Sequence, residues 1–293
     1  ILTARRIFTH IKYRIESIRQ MTGEGGVRGI ESSVLLFDLD DCLYHSPAMS
    51  AAVCTNIKSY MTTFLDIPTA EVDELCSSLY ASHGTTLAGL VNALGKTIDF
   101  DHWHEHVHYG KLDYESYLRH DPFLVSLFKS ISPLARRYIF TNADRKHAEI
   151  CMRLLGIAEF FQREEIICFE TLQDMVRGAE EADGALARKI GAGGIRRGTG
   201  VLCKPNPLAF EVVLDHVEAQ PSSTVFFDDS LRNVASAHEL GVYSVLVRPG
   251  RQADAQCSMH IQSIHMVPME LPWLTGAAKD TDKDPEKEEI AVT

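Results

Sequence analysis

Residues Val34–Pro47 read VLLFDLDDCLYHSP. Four apolar residues, Val34 to Phe37, give way at once to three carboxylates, Asp38, Asp40 and Asp41. So short and continuous an apolar run suits a strand covered on both faces. Carboxylates at the tip of such a strand repel one another unless a cation holds them together. The stretch therefore sets a charged site at the end of a buried sheet.

Four further runs have the same character: Arg137–Phe140, Ile166–Phe169, Thr224–Phe227 and Tyr243–Val247. Helical patterns lie between most of them. Residues 144–155 put Ala148, Cys151 and Leu155 on one face; residues 207–217 open with Asn-Pro, a cap followed by proline in the first turn; residues 230–240 open with Ser230 as cap and stop at Gly241. Strand–helix alternation predicts an α/β fold with a doubly wound, Rossmann-like parallel sheet.

About a hundred residues separate the first two strands, far too many for one crossover. Met49, Val53, Ile57, Met61 and Phe64 form a helical stripe, and residues 70–82, 84–94 and 113–119 also read as helix. The expected organisation is a core of residues 34–45 and 121–250, with an all-helical insertion at 46–120. The Gly-, Ala- and charge-rich stretch 173–200 reads as a loop. Residues 1–33 read as a disordered extension or fragment, with a transit peptide as the alternative. The tail 275–293 mixes both charges with little apolar content and reads as disordered.

The 293 residues carry a formal net charge of −11, with 45% hydrophobic and 24% charged side chains. This balance argues against a nucleic-acid polymer as partner, and no apolar run is long enough to suggest a membrane span. An anionic ligand would need local cations or a metal. Seven scattered cysteines without a CxxC point away from disulfides and zinc and toward a reducing, cytoplasmic setting.

Ligands of parallel α/β sheets bind beyond the carboxyl ends of the strands. Four polar clusters fall there: Asp38 and Asp40; Thr141 and Asn142; Lys204 in CKPNP; Asp228 and Asp229. Asp38, Asp228 and Asp229 form an oxygen-rich set suited to Mg²⁺. Asp38 and Asp40 share a side of the chain and can divide attack and proton transfer between them. Thr141, Lys204 and the helix starts near Asn206 and Ser230 suit a phosphoryl group. Singly, each of these residues is a turn, cap or surface residue; their joint occurrence carries the reading. Cys42 reads as packing, and HWHEHVH at 102–108 as a solvated helix face.

FDLDDCLY, FTNAD, CKPNP and FFDDS resemble the four motifs of the haloacid dehalogenase superfamily, over roughly residues 34–248. The resemblance implies that Asp38 attacks phosphorus and becomes an aspartyl-phosphate. Asp40 would protonate the leaving oxygen and then activate water. Thr141 and Lys204 would bind phosphoryl oxygens. Mg²⁺ would be held by Asp38, the Asp40 main-chain carbonyl, and Asp228 or Asp229. An aspartate at position 40 separates the phosphatases from the dehalogenases proper. The helical insertion is similar to that superfamily's first class of cap.

YASHGTTLAGL (80–90), LLGI (154–157) and DDSLRN (228–233) add a resemblance to the pyrimidine 5′-nucleotidase branch of yeast and plants. It implies a small phosphorylated metabolite, UMP or CMP, as substrate, with Asn142, Tyr80, His83, Gly84 and Gly89 at the substrate side. Asp41 and Cys42 stand where Gly-Thr is usual, a replacement the branch tolerates. The alternatives are a phosphatase for a sugar phosphate or pyridoxal phosphate, a β-phosphoglucomutase-like phosphomutase, or a non-catalytic scaffold.

Overall fold

The computed structural model describes residues 33–181, 184–192, 195, 199–250 and 256–275. Six parallel strands form one sheet: β1 (Val34–Phe37), β2 (Arg136–Phe140), β3 (Ile166–Ile167), β4 (Thr224–Asp228), β5 (Tyr243–Val247) and β6 (Met259–Ile261), in the order β3-β2-β1-β4-β5-β6. The chain winds outward from β1 in one direction and from β4 in the other. The crevice between β1 and β4 is therefore the switch point at which such sheets bind ligands.

Strand alternation divides the core. Leu35 and Phe37 face one apolar layer and Val34 and Leu36 the other, all four essentially inaccessible. Phe37 stacks on Phe227 of β4 at 4.8 Å and meets Phe128 edge-on at 5.3 Å. Truncating a ring so enclosed typically costs about 3–5 kcal/mol. Both faces are covered by helices, so the strands carry no polar alternation.

Between β1 and β2 the chain forms α1 (Pro47–Phe64), α2 (Val72–His83), α3 (Thr86–Asn92), α4 (Phe100–Val107), the short α5 (Tyr114–Tyr117) and α6 (Pro122–Ser130). The apolar faces of α1 to α4 enclose a second core around Tyr60, Met61, Leu79, Leu90 and Trp103, which also takes in Phe169 and Cys203. Thr85 and Asp99 cap α3 and α4 with their side chains. The helical insertion is thus packed on the sheet domain, roofing its carboxyl end.

Three expectations change. Residues 173–181 and 185–192 form helix rather than loop. α7 (Arg145–Leu155) and β3 are followed by α8 (Phe169–Glu181) and α9 (Ala185–Ala192), which bury Leu172, Val176 and Ile190, and then by α10 (Pro207–His216) before β4. Phe169, Leu172 and Val176 recur at helical spacing in α8, a period that the charged and Gly-rich composition of the stretch masks. Phe169 accordingly opens a helix rather than closing a strand. The sheet also extends past residue 250, since β6 pairs with β5. The readings for 1–33 and 275–293 fall outside the described residues, apart from Ser33 and Thr275. Among the described residues, no helix is long and apolar enough to cross a membrane.

Candidate active site

Asp38 prolongs β1: its N–H donates to Phe227 O at 2.9 Å, one step beyond the paired strand. Asp228 ends β4 alongside. Lys204 enters between them, its ammonium 2.7 Å from Asp38 Oδ1, 2.8 Å from Asp228 Oδ2 and 2.6 Å from Phe140 O. Asp38, Lys204 and Asp228 are 7%, 1% and 0% exposed. Asp228 is further held by Ser230 N–H and the Asn233 amide. That bond fixes the start of α11 (Leu231–Glu239); Ser230 occupies the cap position, but its side chain makes no cap bond.

The cluster carries more negative than positive charge. Asp38, Asp228 and Asp229 bring carboxylate oxygens within 4.8 Å of one another, against the single Lys204 ammonium. Burial, with the charges of Asp228 and Asp229, pushes the Asp38 carboxyl well above its usual range, although Lys204 pulls it down. Burial, Asp228 and Asp41 push Asp229 up to about 7. Burial works to lower the Lys204 pKa, but Asp228 and Asp38 more than offset it and raise it. An all-oxygen set with surplus charge fits a hard divalent cation such as Mg²⁺.

Asp40 sits on the turn after β1, where Asp41 adopts a φ of +59° and accepts from Ser46 N–H and Ser50 Oγ. Tyr44 Oη donates to Asp40 Oδ1, and His147 Nε2 lies 2.7 Å from the same oxygen. Burial works to raise the Asp40 carboxyl, but His147 and Tyr44 overcome it and hold it near 2. Its side chain, 40% exposed, opens onto the cavity under the roof. Burial depresses His147, yet the Asp40 carboxylate raises it well above the usual histidine range. The ring is then protonated and donates from both nitrogens, Nε2 to Asp40 and Nδ1 to Tyr114 Oη at 2.9 Å.

The cavity measures about 290 Å³, near the lower end of the small-molecule range. Asp38, Asp40, Thr141, Asn142, Lys204 and Asp229 form its floor. Val53, Ile57, Tyr80, Trp103 and His104 belong to its roof. Of the substrate-side candidates, Tyr80 and Gly84 line it, whereas His83 and Gly89 do not. His83 turns to Ser82 Oγ at 2.8 Å, and Gly89 packs under Leu79. Gly84 has φ +84°, and a Cβ there would fall 2.2 Å from Lys204 O. Only glycine lets the roof approach the lysine segment so closely. Asn142 lines the cavity, yet its amide is committed at both ends. Nδ2 donates to Lys204 O and Oδ1 accepts from Lys204 N–H, each at 3.0 Å. Thr141, 1% exposed, accepts from Ala143 N–H through its hydroxyl.

Sequence reading missed three contributors. His147 lies in the first turn of α7, which Asp144 caps by accepting from His147 N–H. The signal was FTNADRKH: an aspartate cap followed three residues later by a histidine facing the same strand tip. Arg232 of α11 donates to the Tyr80 and Ala81 carbonyls at the end of α2 and lies over the Tyr80 ring, tying roof to floor. HWHEHVH is not a uniformly solvated face. His102 and His106 pack on Phe64, but His104 and His108 turn inward toward Asp144 and the cavity. Alternate histidines lie on opposite sides of a helix, so one tract serves both surfaces.

A lysine-bridged carboxylate cluster at the switch point, roofed by an inserted helical layer, defines a capped, doubly wound α/β protein with an acidic site. A family model described as haloacid dehalogenase-like hydrolase matches residues 33–241. The chain belongs to the haloacid dehalogenase-like hydrolase family. It is similar to phosphate metabolism protein 8 of Saccharomyces cerevisiae, 25% identical over 220 residues, covering 73% of this chain and 60% of the yeast protein. Among solved structures it is similar to a HAD phosphatase from Thermococcus onnurineus, with 14% identity, a TM-score of 0.48, and 82% of this chain and 97% of that chain covered. The 2-haloacid dehalogenase of Pseudomonas syringae gives 16%, 0.45, 82% and 98% in the same terms.

Proposed function

We propose that the protein hydrolyses phosphate monoesters through an aspartyl-phosphate on Asp38, with a pyrimidine nucleoside 5′-monophosphate as substrate. The observation that carries the chemistry is the placing of two differently treated carboxylates on one turn. Asp38 is clamped by Lys204 Nζ at 2.7 Å, and Asp40 faces the same cavity with His147 at 2.7 Å.

In the first half-reaction an Asp38 oxygen attacks phosphorus and the bond from phosphorus to the leaving oxygen breaks. Asp40 delivers the proton that oxygen needs, and His147 can resupply it. In the second, water attacks phosphorus, Asp40 takes its proton, and the phosphorus–Asp38 bond breaks to release inorganic phosphate. Lys204 and Thr141 face the developing charge on the phosphoryl oxygens. Mg²⁺, held by Asp38, Asp228, Asp229 and the Asp40 carbonyl, would neutralise charge that one lysine cannot. The nucleotide preference rests on the likeness of segment 80–90 and DDSLRN to that branch. A cavity walled by Trp103 and Tyr80 supports it by offering rings on which a base can stack.

The test is phosphate release with Mg²⁺ from UMP, CMP, AMP, GMP, pyridoxal phosphate and glucose phosphates, with Asp38→Asn as control. UMP and CMP well above the rest is the expected result. A flat profile would discard the base preference. Equal release by Asp38→Asn would discard the aspartyl-phosphate.

A further inference from the structure

His104, on the inward face of α4, is 4% exposed, and neither of its ring nitrogens makes a hydrogen bond. Leaving a buried imidazole unpartnered is costly, so such a group calls for an explanation. Its Nδ1 lies 3.5 Å from Asp144 Oδ2, the oxygen that His108 Nδ1 also approaches, at 2.6 Å. The two histidine rings lie nearly parallel, 19° apart, with centroids 5.8 Å from one another. Donor atoms from His104, His108 and Asp144 all lie within 4.8 Å of each other.

We propose that His104, His108 and Asp144 form a second metal site, separate from the Asp38 cluster, that takes a zinc-type divalent transition ion. Two imidazoles, borderline nitrogen donors, beside a single carboxylate favour such ions over Mg²⁺. Ligand bonds of about 2.0–2.2 Å set tetrahedral donors roughly 3.5 Å apart, so the His104–Asp144 pair at 3.5 Å already fits, and the His108–Asp144 pair at 2.6 Å would open as an ion enters. His108 would pass its Nδ1 proton to Nε2, leaving the lone pair for the ion. Asp144 keeps its other oxygen on the α7 cap, bonded to His147 N–H at 2.9 Å. Three protein ligands leave a fourth position open on the cavity side, which His104 and His108 line. Two ligands come from the roof and one from the sheet domain, so the ion would fasten the one to the other. None of this depends on the phosphatase reading.

The experiment is a Co²⁺ titration of the full chain in saturating Mg²⁺, which fills the Asp38 cluster, followed by visible absorption. The expected result is one equivalent of bound Co²⁺ with the intense ligand-field bands of a low-coordinate ion, displaced by Zn²⁺. His104→Gln should abolish the bands. Asp144→Asn, which can still cap α7, should weaken binding about 10-fold or more. Circular dichroism checks that each variant folds; should His104→Gln not fold, Asp144→Asn decides. No bands with the wild type would overturn the proposal. So would bands that survive both substitutions, or that disappear only with Cys151→Ser, which would place the ion at the Asp40, His147 and Cys151 group instead.

Discussion

His147 Nε2 lies 2.7 Å from Asp40 Oδ1, and the two pKa values move apart, the carboxyl down to about 2 and the imidazole up. In the proposed mechanism the proton that Asp40 delivers would be stored on its neighbour until the charge of a bound phosphoryl group makes Asp40 a better base. His147→Gln removes the store and the cation together. Turnover should fall roughly 10- to 100-fold, a part of what general acid–base catalysis is worth. The Asp40 carboxyl, left to burial, should titrate at higher pH, so the acid limb of kcat/KM moves up. An unchanged profile with reduced kcat would reduce His147 to a packing residue.

Asp229, raised to about 7, holds a proton in the folded chain that the unfolded chain releases near pH 4. The sign follows: without metal, this group makes stability fall as pH rises from about 4 to 7. Metal binding needs the carboxylate, so Mg²⁺ should raise the melting temperature more at pH 8 than at pH 6. At 100-fold excess over Kd the gain is about 2.7 kcal/mol. Asp229→Asn should remove most of the pH dependence of that gain. Thermal melts with and without Mg²⁺ at the two pH values decide it.

Much of this site was legible before the fold. Val34–Phe37 declares a doubly buried strand because nothing polar interrupts it, and the carboxylates behind it need a cation. Lys204, 166 residues away from Asp38, was placed by its motif and falls in contact with it. What stayed hidden depends on long-range approach. His104 and Asp144 meet through the docking of the roof on α7, which no local spacing encodes. His83 and Gly84 are adjacent, yet a positive φ turns only Gly84 into the cavity wall. α8 and α9 were hidden because the glycines and charges around Leu172, Val176 and Ile190 mask a helical period that is present.

The roof is held near the floor by Arg232 and Gly84. Gly84→Ala forces a Cβ to within 2.2 Å of Lys204 O in a left-handed conformation, a strain of about 1–2 kcal/mol before the clash is relieved. Relief must move the Lys204–Pro205 segment, so kcat should fall further than the melting temperature suggests. Arg232→Ala loses the contacts to the Tyr80 and Ala81 carbonyls without touching the floor, and should raise KM with little change in kcat. Steady-state kinetics on both variants separate the two effects.

Asp38 and Lys204 are both needed for the proposed turnover, but their losses should move stability in opposite directions. Asn at position 38 keeps an oxygen for the Lys204 ammonium and removes one charge from a cluster that holds three carboxylates. Without metal, Asp38→Asn should therefore melt at or above the wild type while releasing no phosphate. Lys204→Met fills the same slot and leaves Asp38 and Asp228 buried without their cation. Breaking a buried ion pair in this way costs about 3–5 kcal/mol. Protonation of Asp38 would recover part of that cost, so the deficit should shrink as pH falls toward 5. Melts of the two variants at pH 7.5 and pH 5 test the charge balance directly. An Asp38→Asn protein melting well below the wild type would mean that Lys204 already neutralises the cluster, and the case for a divalent ion there would lose its physical basis.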